Sequence, residues 1–409
     1  MAKDKDLKTP NVPPLRFPGF TDEWKQYTID DIAKIEKGSG ISKDQLSEDG
    51  EECILYGELY TKYKSEIINE IYSKTNINSS KLTRSQKNDV IIPCSGESAE
   101  DIATSRCVSK DGILLGGDLN IIRFKDQDGA FMSYQLNGKR KYDIARVAQG
   151  VSVAHLYPDH LKSVKVNVPQ IEEQRKIVRL LSLIDERIAT QNKIIEDLKK
   201  LKSAIMAIIF GKTNVTKNQW CEVRLGNICE RVTRRNSNNI SNLILTIAAQ
   251  YGLVSQTDFF NKSVASADLS NYYLLDKGDF AYNKSYSGEY TWGTVKRLDL
   301  YPQGVLSPLY ICFRPIEGIV DSDFLVYLFE SKCWYREVSG ICVEGARNHG
   351  LLNVSVVDFF NMKLHLPDLS EQKRIAEMMN SISDKIEHSS RLYALYNAQK
   401  TYLLSNMFI

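Results

Sequence analysis

Several short stretches carry residue types that could hold a phosphate, a metal or a reacting group. Gly38-Ser39-Gly40, just after Glu36, is half of a nucleotide-binding glycine loop, but a lone Gly-x-Gly reads as a surface turn. Gly211-Lys212-Thr213 ends like a phosphate-binding loop, yet Met206 stands where its first glycine belongs, so the stretch reads as a helix stop with a flexible exit. Ser-Gly-Glu occurs at 95–97 and again at 287–289; with no nucleophile or base beside the glutamate, both read as turns. Methylation of amino groups on DNA calls for an Asn/Asp-Pro-Pro-aromatic loop, and Pro13-Pro14 sits between Val12 and Leu15 instead. Histidines 155, 160, 349, 365 and 388 make no ligand spacing with one another or with the cysteines. His155 and His160 share one stretch, but surface or core placement is the simpler reading. These residues suggest no catalytic centre, no metal and no cofactor in the chain.

What remains is contact chemistry. Arg231, Arg234 and Arg235 run into Asn236, mixing phosphate binders with a side chain that can read an adenine edge. Lys284 and Tyr286, then Lys296 and Arg297, lie among aromatics. Lys139, Arg140, Lys141 and Arg146 form the densest basic run of the first half, and Arg84 and Lys87 precede a strand-like run led by Asp89. Taken singly, each cluster is an ordinary solvated loop; their occurrence in both halves marks them as candidate DNA contacts. Net charge is −3 over residues 21–165, zero over 213–366 and +3 over 166–212. A phosphate-binding face must therefore arise by turning acidic residues elsewhere.

The elements that would position these clusters are announced by an internal repeat. Pro169 to Phe210 returns as Pro367 to Phe408, with Glu173-Gln174-Arg175-Lys176-Ile177 answered by Glu371-Gln372-Lys373-Arg374-Ile375. Each copy holds one 3-4 apolar spacing. The first seam is Ile177, Leu181, Ile184, Ile188, Gln191, Ile195, Leu198, Lys202, Ile205 and Ile209. The second is Ile375, Met379, Ile382, Ile386, Ser389, Tyr393, Tyr396, Lys400, Leu403 and Met407. The polar interruptions fall at matching steps. A strict seven-residue spacing is a seam for another helix. Pro169 and Pro367 precede acidic first turns, and Asp368-Leu369-Ser370-Glu371 fits a capping box.

Before each helix lies a segment of similar plan. Trp24, Tyr27, Ile29 and Ile32 in the first match Trp220, Val223, Leu225 and Ile228 in the second. Asp89-Val90-Ile91-Ile92 matches Asp279-Phe280-Ala281-Tyr282. Strand-like runs follow at Asn120–Phe124 and Leu309–Phe313, and alternating stretches close each segment at Val164–Val168 and Met362–Leu366. The middles are unlike. The expected organisation is an N-terminal segment 1–20, a globule 21–168, a helical spacer 169–212, a second globule 213–366 and a second spacer 367–409.

The expected fold is α+β: two globular domains separated by two long helices in an antiparallel coiled coil, with a pseudo-twofold internal repeat. A helix from Ile171 to Phe210 runs about 60 Å at ~1.5 Å per residue. A globule of this size has a radius of gyration near ~15 Å, too short to lead the chain back for a parallel pairing. The expected shape is a dumbbell-like ruler.

Composition narrows the class. Of 409 residues, 43% are hydrophobic and 25% charged, which excludes general disorder or a fibre. The longest apolar run, Ala204 to Phe210, is far short of a membrane span. Met1 to Pro10 is charged with no apolar core, and the eight cysteines show no CxxC pairing, so a cytoplasmic chain with reduced thiols is expected. A net charge of +2 gives no global basic field.

The opening segment Pro14-Leu15-Arg16-Phe17-Pro18-Gly19-Phe20 with Trp24, and above all the doubled Pro-x3-Glu-Gln-x2-Ile of 169–177 and 367–375, resemble the specificity subunit of type I restriction–modification systems. Gly150 with Leu156 and Leu161, and Gly345 with Leu351 and Phe359, resemble the family's approach to that motif. The resemblance extends over essentially the whole chain. It implies two target recognition domains that each read one part of a split, asymmetric duplex target, with helical spacers setting the gap. It implies two modification subunits that methylate adenine with S-adenosylmethionine, and motor–nuclease restriction subunits using ATP and Mg. It implies a chain that is not itself an enzyme. The alternatives are a self-contained DNA methyltransferase or nuclease, and a protein-interaction scaffold.

Overall fold

The computed structural model describes residues 11–150, 153–211, 220–248, 251–260, 268–285, 288–342 and 352–409. Among them no helix is long and apolar enough to cross a membrane. The fold is α+β, and two long helices dominate it: a central helix, Ile171–Phe210, and a C-terminal helix, Leu369–Asn406. The C-terminal helix starts where Asp368 Oδ1 accepts from the Glu371 amide at 2.9 Å. The other half of the expected capping box is not formed, because the Glu371 carboxylate turns to Arg374 at 2.7 Å.

The seam residues lie where a 3-4 spacing puts them. Ile177, Leu181, Ile184, Ile195, Ile375 and Met379 are buried. Ile188, Leu198, Ile382, Ile386, Tyr393 and Tyr396 are half-buried, while flanking Glu186, Lys199, Lys200 and Glu387 are exposed. One stripe per helix is therefore removed from water.

The chain forms two compact units. Unit one is Met1–Lys193 with Ser390–Ile409, and unit two is Ile194–Ser389. Each contains a piece of both helices. In unit one Asp185 pairs with Lys400 and Arg187 lies over the Tyr396 ring, so rising positions on one helix meet falling positions on the other. In unit two Met206 and Phe210 share a core with Ile375, Ala376 and Met379, while Ile194 and Leu198 line a groove with Asp384, His388 and Ser389. The order is again antiparallel.

In unit one the strand Lys25–Thr28 pairs antiparallel with Lys165–Val168. The apolar alternation that begins at Trp24 is a strand only as far as Thr28. There Asp31 accepts from the Thr28 amide and hydroxyl, and Ile29–Ile32 turns helical. A five-stranded sheet follows in the order Ala33–Lys37, Leu119–Phe124, Val90–Pro93, Arg106–Val108, Ile67–Ile68. A four-stranded sheet adds Leu114–Leu115, Glu51–Ile54, Ser73–Thr75 and Leu46–Ser47. Gly38 belongs to close backbone packing and not to a phosphate cradle: a Cβ there would meet the Gly116 carbonyl oxygen at 1.9 Å. Ser95–Gly96, expected as a turn, is a two-residue strand against Ala154–His155; Ser287 of the second copy lies outside the described residues, as do Gly345 and Leu351.

Unit two repeats the opening. Cys221–Arg224 pairs antiparallel with Lys363–Leu366, Leu225–Ile228 is helical, and Cys229–Arg231 enters a sheet with Ile311–Pro315, Phe280–Asn283 and Thr294–Arg297. Beyond that sheet the two units differ. Unit two carries two separate strand pairs, Leu245–Ala248 with Gly252–Ser255 and Tyr273–Asp276 with Gln303–Leu306.

Candidate nucleic-acid interface

The doubled motif builds the same support in both units. Gln174 is 1% exposed; its Oε1 accepts from the Asp128 amide at 2.9 Å and its Nε2 donates to the Pro169 carbonyl at 2.9 Å. Gln372 does the same with the Asp321 amide and the Pro367 carbonyl, both at 2.9 Å. Asp128 and Asp321 are in turn the N-caps of helices Gly129–Asn137 and Ser322–Glu330. One buried amide thus ties the start of a long helix to the start of a core helix. Glu173, the neighbouring motif residue, holds Arg16 of the opening segment at 2.7 and 2.8 Å.

An aromatic triad closes each core. In unit one Trp24, Phe131 and Phe408 meet with ring centroids 5.2–6.4 Å apart. In unit two Trp220, Phe324 and Phe210 meet at 5.7–6.2 Å. The segment just past the end of the C-terminal helix supplies the plug of unit one, and the last residue of the central helix that of unit two. The strand-leading aspartates are also matched: buried Asp89 faces Arg123, and buried Asp279 holds Arg314 at 2.6 Å. Burial pushes the Asp89 carboxyl up, against the opposing pull of the Gln86 amide and Arg123.

The structure gathers three of the unit-two candidates around the strand Tyr273–Asp276. Arg231 donates to the Tyr273 hydroxyl at 3.3 Å, Arg235 lies 4.3 Å over its ring and bonds the Asn271 carbonyl, and Arg234 pairs with Asp276 at 2.7 Å. Burial would raise the Asp276 carboxyl, but Gln303, Arg234 and Arg314 outweigh it and hold it below the usual value. All three arginines remain exposed. Asn236 does not join them: it is fully buried, and its amide closes a loop by bonding the Ser241 carbonyl and amide. Arg297 is also withdrawn from solvent duty, paired with Asp299 and Asp323 at 2.6 Å each. Lys296 is half-buried, and burial pushes its ammonium down. Lys284 is half-buried, with its carbonyl accepting from Leu352. Tyr286 lies outside the described residues.

In unit one the candidates occupy two separate places. Arg84 reaches Glu51 at 2.6 Å and the Gly112 carbonyl at 3.0 Å, with exposed Lys87 nearby in the chain. Lys139, Arg140, Lys141 and Arg146 lie on the turn and helix after Gly138, a glycine packed beside Leu404. Asp143 neutralises part of this run, at 3.2 Å from Arg140 and 3.8 Å from Arg146. Lys139 and Arg146 stay exposed.

Residues absent from the sequence-based set join a further patch in unit one. Lys37 Nζ lies 5.4 Å over the Tyr157 ring, His155 stacks on that ring, and His160 meets its edge. An exposed ring flanked by cationic and imidazole groups suits both phosphate and base contact. The signal was the spacing His155-x-Tyr157-x2-His160, which makes sense only when Lys37 is brought alongside. In unit two Tyr251 and Phe259 present exposed rings 6.4 Å apart.

Residues 21–200 match the family model described as the type I restriction modification DNA specificity domain. The chain is 25% identical to the type I restriction enzyme MjaVIII specificity subunit of Methanocaldococcus jannaschii, over 91% of this chain and 88% of that protein. It is 27% identical to the putative type I restriction enzyme MjaX specificity subunit of the same organism, over 58% of this chain and 57% of that one. Among solved structures, the type I restriction–modification S subunit from M. genitalium superposes with a TM-score of 0.63 at 15% identity, covering 97% of this chain and 99% of the other, a likeness of fold.

Proposed function

We propose that the chain is a non-catalytic DNA-recognition subunit of a type I restriction–modification system, on its similarity to that family's specificity domain over residues 21–200 and to the MjaVIII specificity subunit, and that its two units each read one part of a split, asymmetric duplex target. The observation that carries this reading is one supporting frame built twice and topped with unlike strands. Gln174 and Gln372 make the same two backbone hydrogen bonds, yet among the described residues the remaining strands of the units differ in number and pairing. A duplicated mount with different reading surfaces suits a target whose halves differ in sequence.

In this reading exposed Arg231, Arg234 and Arg235 grip phosphates for unit two, and Lys37, Arg84, Lys87, Lys139 and Arg146 do so for unit one. Tyr157, Tyr251 and Phe259 face bases or sugars. The long helices act as spacers that set the gap between half-sites. Two modification subunits bring S-adenosylmethionine and methylate an adenine flipped from the stack, since a paired base hides the reacting amine. Restriction subunits bring ATP and Mg, and the complex works in the cytoplasm.

The test is a map of methylated adenines in DNA from cells carrying this chain and its modification partner, with duplex binding by the assembled complex across a salt series. A two-part target and a steep fall in affinity with salt are expected. A continuous target would overturn the two-reader arrangement. Binding indifferent to salt would favour a protein scaffold, and methylation by the chain alone would favour an enzyme.

A further inference from the structure

Lys400 is one of the two polar interruptions in the C-terminal seam, and its side chain is 15% exposed. Its Nζ lies 2.5 Å from Glu66 Oε2 and 2.6 Å from Asp185 Oδ1. Asp185 Oδ2 accepts from the Tyr134 hydroxyl at 2.7 Å and from Ser65 Oγ at 3.3 Å, and Asn137 donates to Glu66 Oε1 at 3.4 Å. Both carboxylates are buried, Glu66 at 6% and Asp185 at 9% exposure. The loop before Ile67, the central helix and the helix Gly129–Asn137 therefore converge on one cation of the C-terminal helix. Burial alone would lower the Lys400 ammonium, but Glu66 and Asp185 outweigh it and hold it above the ordinary lysine value.

An apolar seam with a seven-residue repeat does not by itself choose among alignments that differ by seven residues, because similar side chains meet in each. Sliding the C-terminal helix by one repeat moves it about 10 Å at ~1.5 Å per residue. Tyr393 or Met407 would then stand at the station of Lys400, and Lys400 would land beside Val178 or Asn192. Glu66 and Asp185 would lose the ammonium that pairs with them and keep the buried Arg106 guanidinium, which bonds the Tyr63 and Ser105 carbonyls, as a more distant cation, a heavier penalty than altered seam packing.

We propose that Lys400, with Glu66 and Asp185, is a register pin: it admits one axial alignment of the C-terminal helix against the central helix in unit one. Resting on the spacer reading above, the same pin fixes the gap between half-sites, so Lys400 is a positioning residue for target choice.

The experiment places spin labels at exposed positions through E186C and Q399C in the full chain carrying C221S, C333S and C342S, and reads the distance by double electron–electron resonance. The starting protein gives one narrow distance population. The neutral variant E66Q/D185N/K400M keeps the acceptor for Tyr134 while removing the charges, and it gains a second population; K400R keeps one. A single unchanged population in the neutral variant would overturn the pin. Should that variant fail to fold, D185N retains the Lys400–Glu66 pair and supplies the same readout, with a smaller second population expected and none contradicting the proposal. Mapping methylated adenines for the neutral variant separates the two layers. A second gap supports the pin and the spacer together, whereas a loosened register with one unchanged gap leaves the pin standing and counts against the spacer.

Discussion

In unit one the Lys400 station is dry: its partners Glu66 and Asp185 are both buried, and Tyr134 lies beneath the ammonium. In unit two the matching seam position, Lys202, lies over Tyr327 at 5.2 Å but pairs with Glu330, whose side chain is 39% exposed. The residue matching Asp185 is Ser383, and the Tyr327 hydroxyl turns to Asn380 and Ser383 instead of a carboxylate. The same station is an internal ion cluster in one half and a wet surface pair in the other. The Gln174 and Gln372 ties, by contrast, share both backbone bonds, to which Gln174 adds one to the Gln127 side chain. The difference separates mounting from what is particular to each unit: the backbone ties, aromatic plugs and strand-leading Asp–Arg pairs are shared, while the charge pairs at the seam lysines differ.

The strongest test of the likeness is to remove the plugs. Phe408→Ala and Phe210→Ala each take a buried ring from a triad and should destabilise by about 3–5 kcal/mol. Hydrogen exchange read by mass spectrometry should place the loss of protection in unit one for the first and in unit two for the second. Equal loss in both units from either variant would break the assignment of one plug to each core.

The contrast between stations predicts unequal effects. Lys400→Met removes the ammonium that pairs with two buried carboxylates and should destabilise unit one by about 3–5 kcal/mol. Lys202→Met removes a solvent-screened pair and should cost no more than about 1 kcal/mol. Denaturant melts of both variants check this, and similar losses would erase the distinction between a dry and a wet station.

Acid sharpens the comparison more gently. The Asp276 carboxyl is lowered by Gln303, Arg234 and Arg314 against the raising effect of burial. Its contribution is therefore complete above the ordinary aspartate value of ~3.9 and is lost as pH falls below it. Asp89 is shifted up by burial, so protonation favours the folded form there and its contribution moves the opposite way. Exchange protection around Tyr273–Asp276 should weaken as pH falls below about 4 more than around Val90–Pro93. The reverse order would contradict these assignments.

Local patterns made the frame legible in the sequence. A 3-4 apolar spacing delivered both long helices and shielded seam residues, and the Asp-led runs became the central strands Val90–Pro93 and Phe280–Asn283. The contact residues were harder, because a side chain's availability depends on partners far along the chain. Arg297 is taken by Asp323, and Arg314, unremarked in the sequence, is fixed by Asp276 and Asp279. Asn236 looked like a base reader but folds back on Ser241 within its own loop. Lys37 and Tyr157 lie 120 positions apart and meet only through the packing of the sheet.

The most direct measurement exchanges residues 213–366 for the corresponding segment of a type I restriction–modification specificity subunit and maps methylated adenines in cells supplying the proposed modification partner. The account predicts that one half of the target changes while the other half and the gap stay as they were. A target altered in both halves, or in neither, would contradict it.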